Sequence, residues 1–289
     1  MYCTDFEYAG KRLSDYGCIV CHISGSSDLN TVNMGSQITF NTVNLPQQNK
    51  FKIMSTQYSE AYTTTFEICK FNCNNRDDYK FSQEEISALM RWLNKKNYNK
   101  FKMIYKDGEC SNVYYMGTFN VQMITHAGDI VGLELTLQTN APFGYYEPVE
   151  YVMDFSNVND EFSVYDMSDE IGYIYPNSVT IECSNEGYLP ENWEELGLYK
   201  NEGLLEINNS KDGERKTIIN ACVNGEVLTL DCENKIITSS EKHDGLYNDF
   251  NYNFIRISNS EYDTENTFTV NKPCKITFTY SPICKMGIV

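Results

Sequence analysis

Apolar residues recur with period two over most of this chain, a spacing that predicts strands. Val131, Leu133, Leu135 and Leu137 alternate with Gly132, Glu134, Thr136 and Gln138, and Tyr62, Thr64, Phe66 and Ile68 form a similar stripe. Phe101, Met103 and Tyr105 repeat the pattern ahead of an Asp107-Gly108 turn signal, and residues 118–123 follow with the same period. In the second half Val179, Ile181 and Cys183 alternate, as do Leu205 and Ile207, and Cys274, Ile276, Phe278 and Tyr280. Asn224-Gly225 lies between residues 218–223 and 227–232. That dipeptide suits a two-residue turn and predicts a hairpin joining the two runs.

One segment changes period. From Gln83 to about Lys96, Ile86, Leu89, Met90 and Leu93 make a single helical face. Ser82 is placed as N-cap with Glu85 completing a capping box, and Phe81 and Ile86 stand where a hydrophobic staple would put them. Glu84 and Glu85 at the start and Lys95 and Lys96 at the end suit the macrodipole.

Asn140-Ala141-Pro142-Phe143-Gly144 interrupts the pattern. Charge changes at the same place. Residues 1–145 hold 13 Lys/Arg against 14 Asp/Glu, a net of −1; residues 146–289 hold 10 against 26, a net of −16, and the two make the total of −17. The expected fold is therefore mainly β, with two β-sandwich or barrel-like domains. Residues 1–143 carry the packed helix 83–96, and residues 144–289 form an acidic sandwich.

The 289 residues are 41% hydrophobic, enough for real cores. No run of about 18 apolar residues exists to span a membrane. Residues 1–7 lack the basic and apolar regions of a secretory signal, so synthesis in a cytosol is expected. There the eleven cysteines read as reduced core residues, and their odd number cannot all pair within one chain. The acidic balance argues against sequence-independent binding of nucleic acid, which needs basic patches.

Candidate chemistry is sparse. Cys18-Ile19-Val20-Cys21-His22 matches the c-type haem attachment pattern, but reads better as a turn entering a strand. Cys18 and Cys21 with Cys69 and Cys73 would supply four thiolates for zinc, although residues three apart on a strand face opposite ways. Only His22, His126 and His243 are present, and no nucleophile elbow, zinc-protease motif or phosphate loop accompanies them. His243-Asp244 are too close in sequence for a base and its orienter. Two acidic clusters, 160–170 and 191–195, lack the calcium-loop pattern and read as solvated faces. Trp193, inside the second, is the one candidate contact residue: an exposed Trp stacks a sugar ring or anchors a partner, while one folded back over the sandwich edge only packs, and that packing is the favoured reading. No enzyme, metal or cofactor is expected.

Taken in order, these landmarks resemble the distal tail protein family of long-tailed phages with non-contractile tails. Phe6-Glu7-Tyr8-Ala9-Gly10-Lys11 with Ser14-Asp15-Tyr16-Gly17 is similar to that family's opening strand and turn. Arg91-Trp92-Leu93 resembles its packed helix, and Tyr105-Lys106-Asp107-Gly108 with Tyr114-Tyr115-Met116-Gly117 its next hairpin. Leu133–Leu137 leading to Ala141-Pro142 resembles the closing strand of the first domain. Leu204–Ile207, Asn224-Gly225-Glu226, Leu228–Cys232 and Asn266–Val270 resemble its C-terminal sandwich. The acidic stretch around Tyr188–Leu196 departs from the commoner pattern.

The resemblance implies a virion protein at the tail tip. Its first domain would form a homohexameric ring around the channel through which the genome passes. A galectin-like second domain would dock baseplate or receptor-binding proteins. Partners would be copies of itself, the tail tube protein and a tail-associated hub or lysin protein, with no membrane and no sequence-specific nucleic acid. A carbohydrate-binding module directed at the host cell surface, using Trp193, is the alternative.

Overall fold

The alternating stripes form strands in a computed structural model of the chain, which describes residues 3–23, 35–45, 50–71, 79–105, 111–156, 160–183, 203–241, 243–260 and 262–286. Two compact units result: residues 1–146 with 284–289, and residues 147–283. The sequence places a single cut after residue 143; in the structure the cut follows Tyr146, and the last six residues return to the first unit.

The first unit begins with β1 (Cys3–Tyr8), β2 (Lys11–Arg12), β3 (Cys18–Cys21), β4 (Ile38–Asn44), β5 (Phe51–Tyr58) and β6 (Thr63–Lys70). It continues with α1 (Gln83–Leu93), β7 (Asn99–Tyr105), β8 (Val113–His126), β9 (Asp129–Thr139) and β10 (Gly144–Tyr146). The main sheet runs β2-β1-β7-β8-β9-β6-β3, with β10 on β8. It is an open path and not a closed barrel. Its core is aromatic: Phe6, Phe66, Phe101 and Phe119 are buried, with Phe6 ring centroids 5.4 to 5.7 Å from the other three. Each such ring contributes about 1.5–3 kcal/mol by leaving water.

Helix α1 starts as its sequence dictates. Ser82 Oγ accepts from Glu85 N, and Glu85 Oε2 accepts from Ser82 N at 2.7 Å. It ends at Leu93, three residues before the expected Lys96. Asn94 leaves helical geometry and turns its side chain to the sheet, donating from Nδ2 to Phe119 O at 3.1 Å, and Lys95 O accepts from Thr118 Oγ1 at 2.7 Å. Two bonds to β8 thus replace another helical turn. Leu89, Trp92 and Leu93 form the buried face.

The second unit contains β11 (Val149–Phe155), β12 (Glu161–Tyr165), β13 (Gly172–Ile174), β14 (Ser178–Cys183), β15 (Leu205–Asn209) and β16 (Lys216–Ile219). It continues with β17 (Val227–Asp231), β18 (Ile236–Ser239), the short α2 (Leu246–Asp249), β19 (Ile257–Asn259), β20 (Glu265–Val270) and β21 (Cys274–Tyr280). A five-stranded sheet, β11-β21-β14-β17-β18, and a four-stranded sheet, β12-β20-β15-β16, share one core. That is a sandwich, with Ile181, Leu228, Ile276 and Phe278 from one sheet meeting Val164, Ile207, Ile219 and Phe268 from the other.

The Asn224-Gly225 turn exists, with Gly225 at φ +83° and Glu226 N donating to Val223 O. It does not make the expected hairpin. β16 pairs with β15 in one sheet and β17 with β14 and β18 in the other. The turn carries the chain between layers because its backbone is bound elsewhere: Gly225 N donates to Cys183 O, and Cys222 N to Gly203 O.

Candidate assembly surface and a buried polar centre

In the first unit, β4 and β5 form a two-stranded sheet of their own. Every residue of β4, and all of β5 but Tyr58, is exposed. The register sets Ile38 opposite Tyr58, Phe40 opposite Thr56, Thr42 opposite Ile53 and Asn44 opposite Phe51, with a shift after Asn41. Ile38, Phe40, Val43, Phe51, Ile53 and Met54 are 44 to 70% exposed. β-Branched and aromatic residues make these strands, and Asn41 Nδ2 donating to Ser55 Oγ at 2.9 Å adds a cross-strand tie. At the root, Ser59 N donates to Gln37 O.

Such a ribbon is marginal in water by itself, and among the described residues no other strand pairs with either of its edges. Residues 36–58 contain two lysines and no acid, an exception in a chain of net charge −17. The surface can bury apolar side chains against a partner and add strands to it. The period-two signal was present in Ile38-Thr39-Phe40-Asn41-Thr42-Val43 and Phe51-Lys52-Ile53. The signal does not mark a core strand, because these two strands have no buried face.

The second unit has a buried polar centre that sequence reasoning also missed. Cys183 ends β14, while Cys222 and Glu226 stand at the two ends of the turn. Their two Sγ atoms and a carboxylate oxygen lie within 4.8 Å of one another, all three residues buried. Glu226 is fully buried yet well bonded: Oε2 accepts from Val223 N at 2.9 Å, and Oε1 from Ser239 Oγ at 2.6 Å and faces His243 Nδ1 at 2.8 Å. The other nitrogen, Nε2, faces Asp249 Oδ2 at 3.1 Å. The partners of His243 are thus Glu226 and Asp249.

Burial by itself lowers the His243 pKa, but the hydrogen bonds to the two carboxylates outweigh it and hold the imidazole above its ordinary value. Burial raises Glu226, yet its donors leave the carboxyl below the usual range. Cys222 is pushed far up by its hydrogen bond with the Cys183 thiol and by burial. Residue spacing gave no hint of this cluster, because Cys183 meets Cys222 only through sheet pairing.

Cys18–Cys21 form β3, paired with β6 so that Ile19 faces Cys69 and Cys21 faces Glu67. Cys21 shares a hydrogen bond with Cys69, whereas Cys18 is buried with its thiol on Tyr16 O. Cys73, the fourth thiol of the zinc reading, lies outside the described residues, as do Trp193 and the 191–195 acidic cluster. In the other acidic cluster Asp166 is buried while Glu161 is exposed, so those carboxylates are not one face.

Residues 1–141 match the family model described as a phage tail protein N-terminal domain, and residues 143–280 the model of a phage tail C-terminal domain. Among solved structures, the chain is similar to the Dit (gp 19.1) protein of phage SPP1, described as a paradigm of hub adsorption apparatus in phages infecting Gram-positive bacteria. Identity is 14%, with 97% of this chain and 99% of that one covered and a TM-score of 0.63. A second match is a chain of the phage p2 baseplate, at 10% identity, 96% and 97% coverage and a TM-score of 0.44. No curated protein matches in a sequence comparison.

Proposed function

We propose that this chain, which belongs to this phage tail protein family, is a distal tail protein: it forms a ring at the end of the tail tube and serves as a hub for the tail-tip components. It acts by assembly and not by catalysis. The observation that carries this reading is the β4–β5 ribbon, whose exposed apolar side chains, on two strands that pair with no other among the described residues, call for a partner. A second copy of the chain is the occupant. A ring of identical units supplies the same acceptor surface to every ribbon, and closure leaves none uncovered. The tail tube protein would stack on one face of the ring and the hub or lysin protein on the other.

The acidic second unit is the dock for baseplate or receptor-binding proteins. Tyr165, Tyr173, Tyr175, Tyr247, Tyr252 and Tyr262 are exposed on it, and aromatic side chains of this kind anchor protein partners. Trp193 would join them as a partner or sugar contact. Antibody against the second unit, imaged on intact particles by electron microscopy, tests the location. Label at the tail tip is expected; label along the tube or on the capsid contradicts the reading.

A further inference from the structure

We propose that Cys183, Cys222, Glu226 and Cys274 bind one zinc ion inside the second unit, at the root of the segment 184–202. Three of the four ligand groups are already gathered, their Sγ and carboxylate oxygen atoms within 4.8 Å of one another. In a tetrahedral zinc site with bonds of about 2.0–2.3 Å, ligand atoms stand a little under 4 Å apart, so closure needs only small side-chain shifts. Cys274 is directly opposite Cys183 in the β14–β21 register and buried, which makes it the thiol that completes the tetrahedron by a change of rotamer.

Backbone bonds hold the ligands in place before any ion arrives. Cys183 N donates to Glu226 O at 2.8 Å, and Gly225 N returns a bond to Cys183 O at 2.9 Å. Cys222 N donates to Gly203 O at 3.0 Å, and Gly203 sits so close that a Cβ there would fall 1.9 Å from Cys222 O. Only glycine fits.

The carboxylate has room for the ion. An ionised carboxylate offers about four lone-pair positions, and Val223 N, Ser239 Oγ and His243 Nδ1 occupy three. His243 in turn is fixed by Asp249, the outer support that orients a metal-bound group.

Zinc with three thiolates and one carboxylate carries a net −2. The buried Lys272 lies close enough for its charge to act on Cys222. Zinc uptake expels the thiol protons to solvent and forms the Zn–S bonds without any redox change.

Cys183 immediately precedes residue 184 and Gly203 immediately follows residue 202, and both are bonded to the 222–226 turn. The ion therefore ties together both roots of the segment that carries Trp193.

The test is zinc content of the full-length protein purified without chelator. One zinc per chain is expected, kept in a Cys18→Ser, Cys21→Ser, Cys69→Ser variant and lost in a Cys183→Ser, Cys222→Ser variant. Protein without stoichiometric zinc overturns the proposal, as does zinc that survives loss of Cys183 and Cys222. If that double variant does not fold, cobalt substitution of the triple variant decides: thiolate-to-cobalt charge-transfer absorption is expected, and its absence is contradictory. A Cys183–Cys222 disulfide found by non-reducing peptide mapping also overturns it.

Discussion

Trp92 Nε1 donates to the main-chain carbonyl of Tyr8 across 2.8 Å, and this bond locks α1 onto the first strand of the sheet. The indole also stacks on Phe6 and Tyr16, with centroids 5.6 and 4.5 Å away. Trp92→Phe keeps an aromatic ring but removes the hydrogen bond to the Tyr8 carbonyl, at a cost of about 0.5–1.5 kcal/mol. Trp92→Ala opens a cavity as well and should cost about 3–5 kcal/mol. Urea denaturation followed by the first unit's signal checks both. Equal midpoints for the two variants would show that the hydrogen bond and not the packing holds the helix.

Asn266 is fully buried and uses its whole amide. Oδ1 accepts from Asn209 Nδ2 and Ser258 N, both at 2.9 Å, and Nδ2 donates to the carbonyls of Ser258 and Thr264. Asn266→Ala leaves several of these groups unpaired inside the sandwich, so a loss of about 2–4 kcal/mol is expected. Thermal unfolding of the variant against wild type measures it; a midpoint within error of wild type contradicts the network.

Asp166 supplies a pH dependence. Burial pushes its carboxyl above the ordinary value, against the lowering effect of Ser168 and of the nearby Tyr280 hydroxyl, and among the described residues Oδ2 has no hydrogen-bond partner. The folded state therefore holds this proton to higher pH than the unfolded chain does. Stability falls as pH rises from the unfolded value, about 3.9, through the higher folded value, and stays lower above it. Asp166→Asn should be more stable than wild type at neutral pH, the gain disappearing below about pH 4. Denaturation midpoints across that range test it, and a pH-independent difference would be contrary.

The capping box makes a smaller prediction. Ser82→Ala should cost about 1 kcal/mol. Burial raises the Glu85 carboxyl, but bonds from Lys70, at 2.7 Å, and Ser82 outweigh this and hold it below its ordinary value. Its stabilisation is present above about pH 4.3 and lost as pH falls through the lower folded value. Half exposure limits Glu85→Gln to under about 1 kcal/mol, reduced further by salt. Denaturation at low and high ionic strength separates the pair from the cap.

Much of this was legible along the chain. Leu133, Leu135 and Leu137 lie buried on β9 because strict alternation with polar residues leaves one face for the core. Ser82 and Glu85 announced the start of α1, a signal confined to four residues. Its end was not legible, because Asn94 is recruited by Phe119, a partner twenty-five positions away. The turn at Asn224-Gly225 was readable, but which strands it joins depends on Cys183 and Gly203, distant in sequence. The same distance hid the Cys183–Cys222–Glu226 cluster. The β4–β5 ribbon escaped because its apolar side chains have no core to face within one chain.

Assembly through that ribbon is the central claim, and the mass of the full-length protein by light scattering, over a wide concentration range, tests it most directly. A ring of about six 33.3 kDa chains is expected, shifting to smaller species in a Phe40→Ser, Phe51→Ser variant whose folding is unchanged. A wild-type monomer at every concentration, persisting when the tail tube protein is added, would contradict the account.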